Sequence, residues 1–110
     1  MKVLDNELPF GWKAQFQNSM IRDIEGALEK DEINPEEATI LQMKEKYGDL
    51  CVYLDVFSPR ASKVIEEYEN LARYTCVNCG KYTSLVWRTL PVCETCYSKR
   101  KETKWNFKSF

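Results

Sequence analysis

"CVNCGKYTSLVWRTLPVCETC", residues 76–96, sets two Cys-x-x-Cys pairs thirteen residues apart. A Cys-x-x-Cys turn offers two thiolates on one side, which is half of a tetrahedron. Two such turns close a four-sulfur site from Cys76, Cys79, Cys93 and Cys96. The pattern predicts one structural zinc ion, in preference to an iron–sulfur centre, a redox dithiol or disulfides. Four protein ligands leave no vertex for water or substrate, so this zinc is expected to staple and not to catalyse. Gly80, directly after the second cysteine, suits a left-handed residue that turns the chain and aims amides at the sulfurs. Zinc with four thiolates carries a formal −2, which Lys81, Lys99 and Arg100 are placed in sequence to offset. Leu85-Val86-Trp87 reads as a short strand, Leu90-Pro91 leads back to the metal, and a helix-prone segment follows Cys96. Knuckle, strand, knuckle, helix is the order of a zinc ribbon or a treble clef, and the helix favours the treble clef.

Outward from the cysteines, the preceding segment reads as a helix. Ser58 is its N-cap and Pro59 its first residue. Ala61, Val64, Ile65, Tyr68, Leu71 and Ala72 form one apolar stripe at helical spacing. Before it, Leu41 and Met43, then Leu50, Val52, Leu54 and Val56, alternate with their neighbours around Gly48-Asp49. Period two on both sides of a turn predicts a β-hairpin with Gly48 at positive φ. A first helix is expected from Trp12 to about Lys30, with Phe16, Met20, Ile24, Ala27 and Leu28 inward and Leu8–Trp12 as a lead-in. The fold class expected is α+β: a helix–β-hairpin–helix body over residues 1–72, then a four-cysteine module over 73–110, packed as one unit.

The 110 residues contain no histidine, which removes the commonest general base and every histidine-ligated metal site. No phosphate-binding glycine loop and no nucleophile elbow occurs, and no enzymatic activity is expected. The first ten residues lack the apolar run of a secretory signal, and no stretch is long enough to span a bilayer, so a cytoplasmic protein starting at its own Met is expected. Cys51, the odd cysteine, falls in a strand pattern and reads as a small buried side chain.

Charge is divided unevenly. Residues 1–72 hold eight Lys/Arg against fifteen Asp/Glu, a net of −7, whereas residues 73–110 hold eight against two, a net of +6. The acidic body suits a strongly basic partner, such as a nucleic-acid-handling protein. Glu66, Glu67 and Glu69 on the second helix, and Glu25 and Glu29 on the first, are the candidate docking carboxylates, set against the plainer reading of solvated helix faces. The basic end offers the alternative, a small zinc-module regulator that binds nucleic acid. There Lys99, Arg100, Lys101 and Lys104 would meet phosphates and Trp105 would stack on a base.

Gly11-Trp12 ahead of a helix, then KEKYGDL (residues 44–50), a strand, a helix and TCVNCG…CETC resemble a group of small phage- and prophage-encoded zinc-ribbon proteins. That group's pattern has Phe where this chain has Tyr47 and a second Gly where it has Asp49. Within it, the chain is similar to zinc-binding anti-CRISPR proteins directed at type II (Cas9-class) effector nucleases. The resemblance implies stoichiometric, non-enzymatic inhibition by contact, blocking the loading or cleavage of target DNA in a bacterial host cytoplasm.

Overall fold

In the computed structural model, which describes residues 1–102 (positions 100–102 by backbone alone), the central strand is β3, Thr39–Lys46. β4, Asp49–Leu54, pairs antiparallel with one of its edges. Two short segments pair in parallel with the other edge, β1 (Lys2–Val3) against Thr39 and Ile40, and β2 (Asn6–Glu7) against Met43 and Lys44. Between them the ladder continues through Leu4 N–H to the Ile40 carbonyl (2.9 Å) and Met43 N–H to the Asp5 carbonyl (2.8 Å). A parallel pair needs a crossover connection, and the helical run over residues 10–30 supplies it. The body is therefore a βαβ unit extended by a hairpin and a second helix. The helix–hairpin–helix order expected from the sequence is present, with an N-terminal strand that the sequence reading did not include.

The crossover is α1 (Phe10–Trp12), a wider π turn (Lys13–Gln17) and α2 (Asn18–Lys30), in one continuous helix. Trp12, Phe16, Met20, Ile24, Ala27 and Leu28 are all buried, as the stripe predicts. Spacing by four drifts about 40° per step around an α-helix of 3.6 residues per turn. The π turn between Trp12 and Phe16 takes back part of that drift and keeps the indole in line with the core.

The hairpin differs from expectation in two places. Its turn residues are Tyr47 (φ 53°) and Gly48 (φ 87°), with Lys46 facing Asp49 across the ladder. Two successive left-handed residues match the twist of paired strands, which moves the turn one residue back from Gly48-Asp49. Second, a bulge shifts the register between Ile40 and Gln42. Ile40 and Met43 point into the core, and Leu41, expected to share Met43's face, is 45% exposed. An extra residue on one strand of a pair inverts the period-two pattern beyond it.

α3 (Pro59–Ala72) begins as expected, with Ala61 N–H donating to the Ser58 hydroxyl oxygen at 3.1 Å. It runs back along α2. At one end Asp31 accepts from Ser58 Oγ (2.6 Å) and Arg60 N–H (3.2 Å), and at the other the Tyr68 hydroxyl donates to Asp23 (2.6 Å). Ser58 and Arg60 hydrogen bonds hold the Asp31 carboxyl below its ordinary value of 3.8.

After α3 the chain passes into the cysteine module. Thr75 bridges Tyr82, Cys76 N–H donates to the Lys81 carbonyl (2.8 Å), and Thr83 N–H donates to the Tyr74 carbonyl (2.8 Å). β5 (Val86–Trp87) and β6 (Leu90–Pro91) form a small hairpin, and α4 (Glu94–Glu102) follows. The core is shared: Trp12, Met20, Ile24, Leu28, Ile40, Met43 and Leu50 belong to one cluster with Ala72, Cys76, Val77 and Val92. Each large aliphatic side chain fully buried there contributes about 2 kcal/mol. Among the described residues no helix is long and apolar enough to cross a membrane.

Candidate metal centre

Cys76 and Cys79 sit on the knuckle that opens the module, Cys93 immediately precedes α4, and Cys96 lies in its first turn. Tyr97 N–H donates to the Cys93 carbonyl (2.9 Å), so the helix starts at the second pair itself. Knuckle, hairpin, helix is the treble-clef order. All four sulfurs lie within 4.8 Å of one another, and Cys79 Sγ is 3.5 Å from Cys93 Sγ. A tetrahedron of sulfurs at 2.3 Å from zinc has edges of about 3.8 Å. The spacing therefore fits one ion at the centre, and all five cysteines are free thiols.

The electrostatics make the same demand. Burial pushes the Cys76 thiol up, but the amides of Cys93, Cys79 and Asn78 outweigh it and bring the thiol down to about 7. Burial pushes Cys79 and Cys96 up. For Cys96 the neighbouring thiols of Cys93, Cys79 and Cys76 add to the effect. Four thiolates this close cannot all ionise unless a cation sits among them. Zinc is the divalent ion suited to four thiolates in a tetrahedron, and bound here it would join the knuckle to α4.

The knuckle is seated on the crossover helix. Gly11 N–H donates to the Val77 carbonyl at 2.7 Å. A Cβ on Gly11 would fall 2.1 Å from the Cys76 carbonyl oxygen and 2.7 Å from the Gly80 nitrogen. Gly80, at φ 83°, is left-handed as its place in the sequence predicts, and its own Cβ would fall 2.8 Å from the Gly11 carbonyl oxygen. Beside them the buried Trp12 indole donates to the Thr75 carbonyl at 2.8 Å. Thr83, also buried, donates to the Val92 carbonyl (3.2 Å) and accepts from Leu85 N–H (3.0 Å), which ties the two halves of the module together. The sequence analysis placed Gly11 in a lead-in and Trp12 at the start of the helical stripe, and did not foresee that the pair seats the knuckle. Its one signal was the pairing of the smallest and largest side chains at a helix start.

The other candidate residues are dispersed. Glu66 and Glu67 are exposed on α3, while Glu69 is half-buried. Burial raises the Glu69 carboxyl, with Arg73 opposing and Glu66 and Asp49 reinforcing. Glu25 accepts from the Met1 ammonium at 3.1 Å, and Glu29 is exposed near the end of α2. Lys81 is exposed on the knuckle, and Lys99 is exposed on α4. The side chains of Arg100 and Lys101, and all of Lys104 and Trp105, lie outside the described residues. Cys51 is half-buried on β4 opposite Lys44, apart from the four-sulfur cluster.

Compared with known proteins, the chain matches no family model, no curated protein sequence and no solved structure.

Proposed function

We propose that this protein acts by contact, as a zinc-stapled inhibitor that binds a basic nucleic-acid-handling protein and blocks access of target DNA. The observation that carries this reading is the closed sulfur site. Four thiols stand close enough to hold one ion, and a four-coordinate site has no vertex left for a substrate, which supports a structural metal and a function carried by a surface. The −7 body supplies a surface suited to a basic groove. Glu66 and Glu67 stand exposed on α3, the helix that runs into the metal module, and carboxylates on a rigid support lose little freedom on docking. The resemblance of the Gly-Trp, KEKYGDL and double Cys-x-x-Cys segments names the first target to test, a type II CRISPR effector nuclease.

The test is a DNA-cleavage assay with purified effector, guide RNA and target. Inhibition should appear at about one inhibitor per effector and should weaken as salt rises through the physiological range. Reversing Glu66 and Glu67 together should relieve it. Absence of inhibition across several type II effectors, together with tight, salt-sensitive retention of the protein on DNA, would replace this reading with nucleic-acid binding through the +6 end.

A further inference from the structure

The solvent side of the α2–α3 pair carries a groove away from the metal module, which shares only Glu67 with the docking carboxylates. It encloses about 650 Å³ between two helical faces. α2 contributes Arg22, Asp23, Gly26, Ala27 and Lys30, and α3 contributes Arg60, Lys63, Val64, Glu67, Tyr68 and Leu71. Each set follows helical spacing, so the two helices present one continuous face each. We propose that this groove is a docking site for an acidic amphipathic helix carried by a partner protein.

Charge is the first argument. The body of residues 1–72 has eight Lys/Arg and fifteen Asp/Glu, yet the groove takes four of those cations and only two of the acids. The most acidic part of the chain thus concentrates its positive charge in one cleft. Arg60 is engaged by Asp31, and the Asp23 carboxylate accepts from Tyr68. Lys30 and Lys63 make no salt bridge among the described residues. They stand near the same end, where α2 finishes and α3 begins, so an occupant must bring carboxylates there.

Gly26 is the second argument, independent of charge. Glycine inside a helix costs about 1 kcal/mol relative to alanine. Nothing lies within 4 Å of where a Cβ on Gly26 would stand, so packing inside the protein does not require the glycine. Its consequence is a gap in the groove floor, flanked by Ala27, Val64 and the 45% exposed Leu71. Small residues let a helix backbone approach closely, and an apolar floor between charged rims is what an amphipathic helix in a groove requires. α2, thirteen residues long, offers about 20 Å of wall.

The experiment uses the full zinc-loaded chain as bait for a displayed library of peptides of about 15 residues, long enough to span the groove as a helix. The expected result is enrichment of sequences with apolar residues at i, i+3, i+4 and i+7 flanked by Asp and Glu. Synthetic copies should bind at least about ten-fold more weakly to Lys30→Glu/Lys63→Glu, and should lose affinity as salt rises. Gly26→Leu starts from a Cβ position with nothing within 4 Å and carries its side chain into the gap, so it should keep its zinc and its thermal stability and lose the peptides. Enriched peptides that are neutral or basic, peptides that bind Gly26→Leu undiminished, no enrichment at all, or self-association abolished by Gly26→Leu would each overturn the proposal.

Discussion

The Trp12 indole nitrogen donates a 2.8 Å hydrogen bond to the carbonyl of Thr75, the residue immediately before the first cysteine of the cluster. The bond spans 63 positions in sequence and is fully buried. Trp12→Phe keeps most of the apolar volume and leaves the Thr75 carbonyl without its donor. The expected loss is about 1–3 kcal/mol in urea unfolding of the zinc-loaded protein, with the metal still bound one to one. An unchanged midpoint would mean that the knuckle does not depend on this bond.

Gly11 and Gly26 lie in the same helical run and should respond oppositely to alanine. Gly26→Ala should stabilise the protein by about 1 kcal/mol, the ordinary helix-propensity gain. Gly11→Ala places a methyl 2.1 Å from the Cys76 carbonyl oxygen, and the knuckle backbone must shift to accommodate it. A loss of about 1–3 kcal/mol or more is expected, as for overpacked sites. Thermal melts of the two variants beside the parent decide the point, and equal signs would refute the seating of the knuckle on the helix.

Elemental analysis should find one zinc per chain. Cys93→Ser should abolish stoichiometric binding and lose the protection of module amides in hydrogen exchange, because structural zinc supplies roughly 10–16 kcal/mol in small peptides. Cys51→Ala should keep its zinc and lose about 1 kcal/mol for a small half-buried side chain. Zinc lost from Cys51→Ala and retained by Cys93→Ser would mean that the ligand set is wrong.

Asp31 makes stability sensitive to acid in a defined direction. Its folded carboxyl is held below 3.8 by the Ser58 hydroxyl first and by Arg60. A depressed carboxyl stabilises the fold above its unfolded value, and the contribution fades as pH falls from there through the lower folded value. Acid also strips metal from thiolates, so the informative quantity is the difference between the parent and Asp31→Asn. That difference should be constant from neutral pH to about 5 and should shrink below about 4. A difference that grows on acidification would contradict this assignment.

The four-cysteine cluster was legible because cysteine pairs at fixed spacing have few other uses in a chain without histidine. The α2 and α3 stripes and the Ser58-Pro59 start were legible for similar reasons, since each repeats one physical preference several times. β1 and β2 were not, because segments of two residues each hold no period to read and gain their ladder only from β3. Leu41 was misplaced because a bulge leaves no mark in composition and reverses every face beyond it. The seating of Gly11 against Gly80 was invisible for another reason. It is a relation between two residues 69 apart, and neither carries a side chain to announce it.

The burial of Trp12 also sets an order of events during synthesis. Its indole, 0% exposed in the finished fold, bonds to Thr75, and its core cluster includes Ala72, Val77 and Val92. A ribosome releases the tryptophan some sixty residues before those partners. Until they emerge the indole lacks its hydrogen-bond acceptor and part of its cluster, and an aromatic face is open to chaperones or to other nascent chains. Closure of the core around Trp12 therefore waits on the cysteine module.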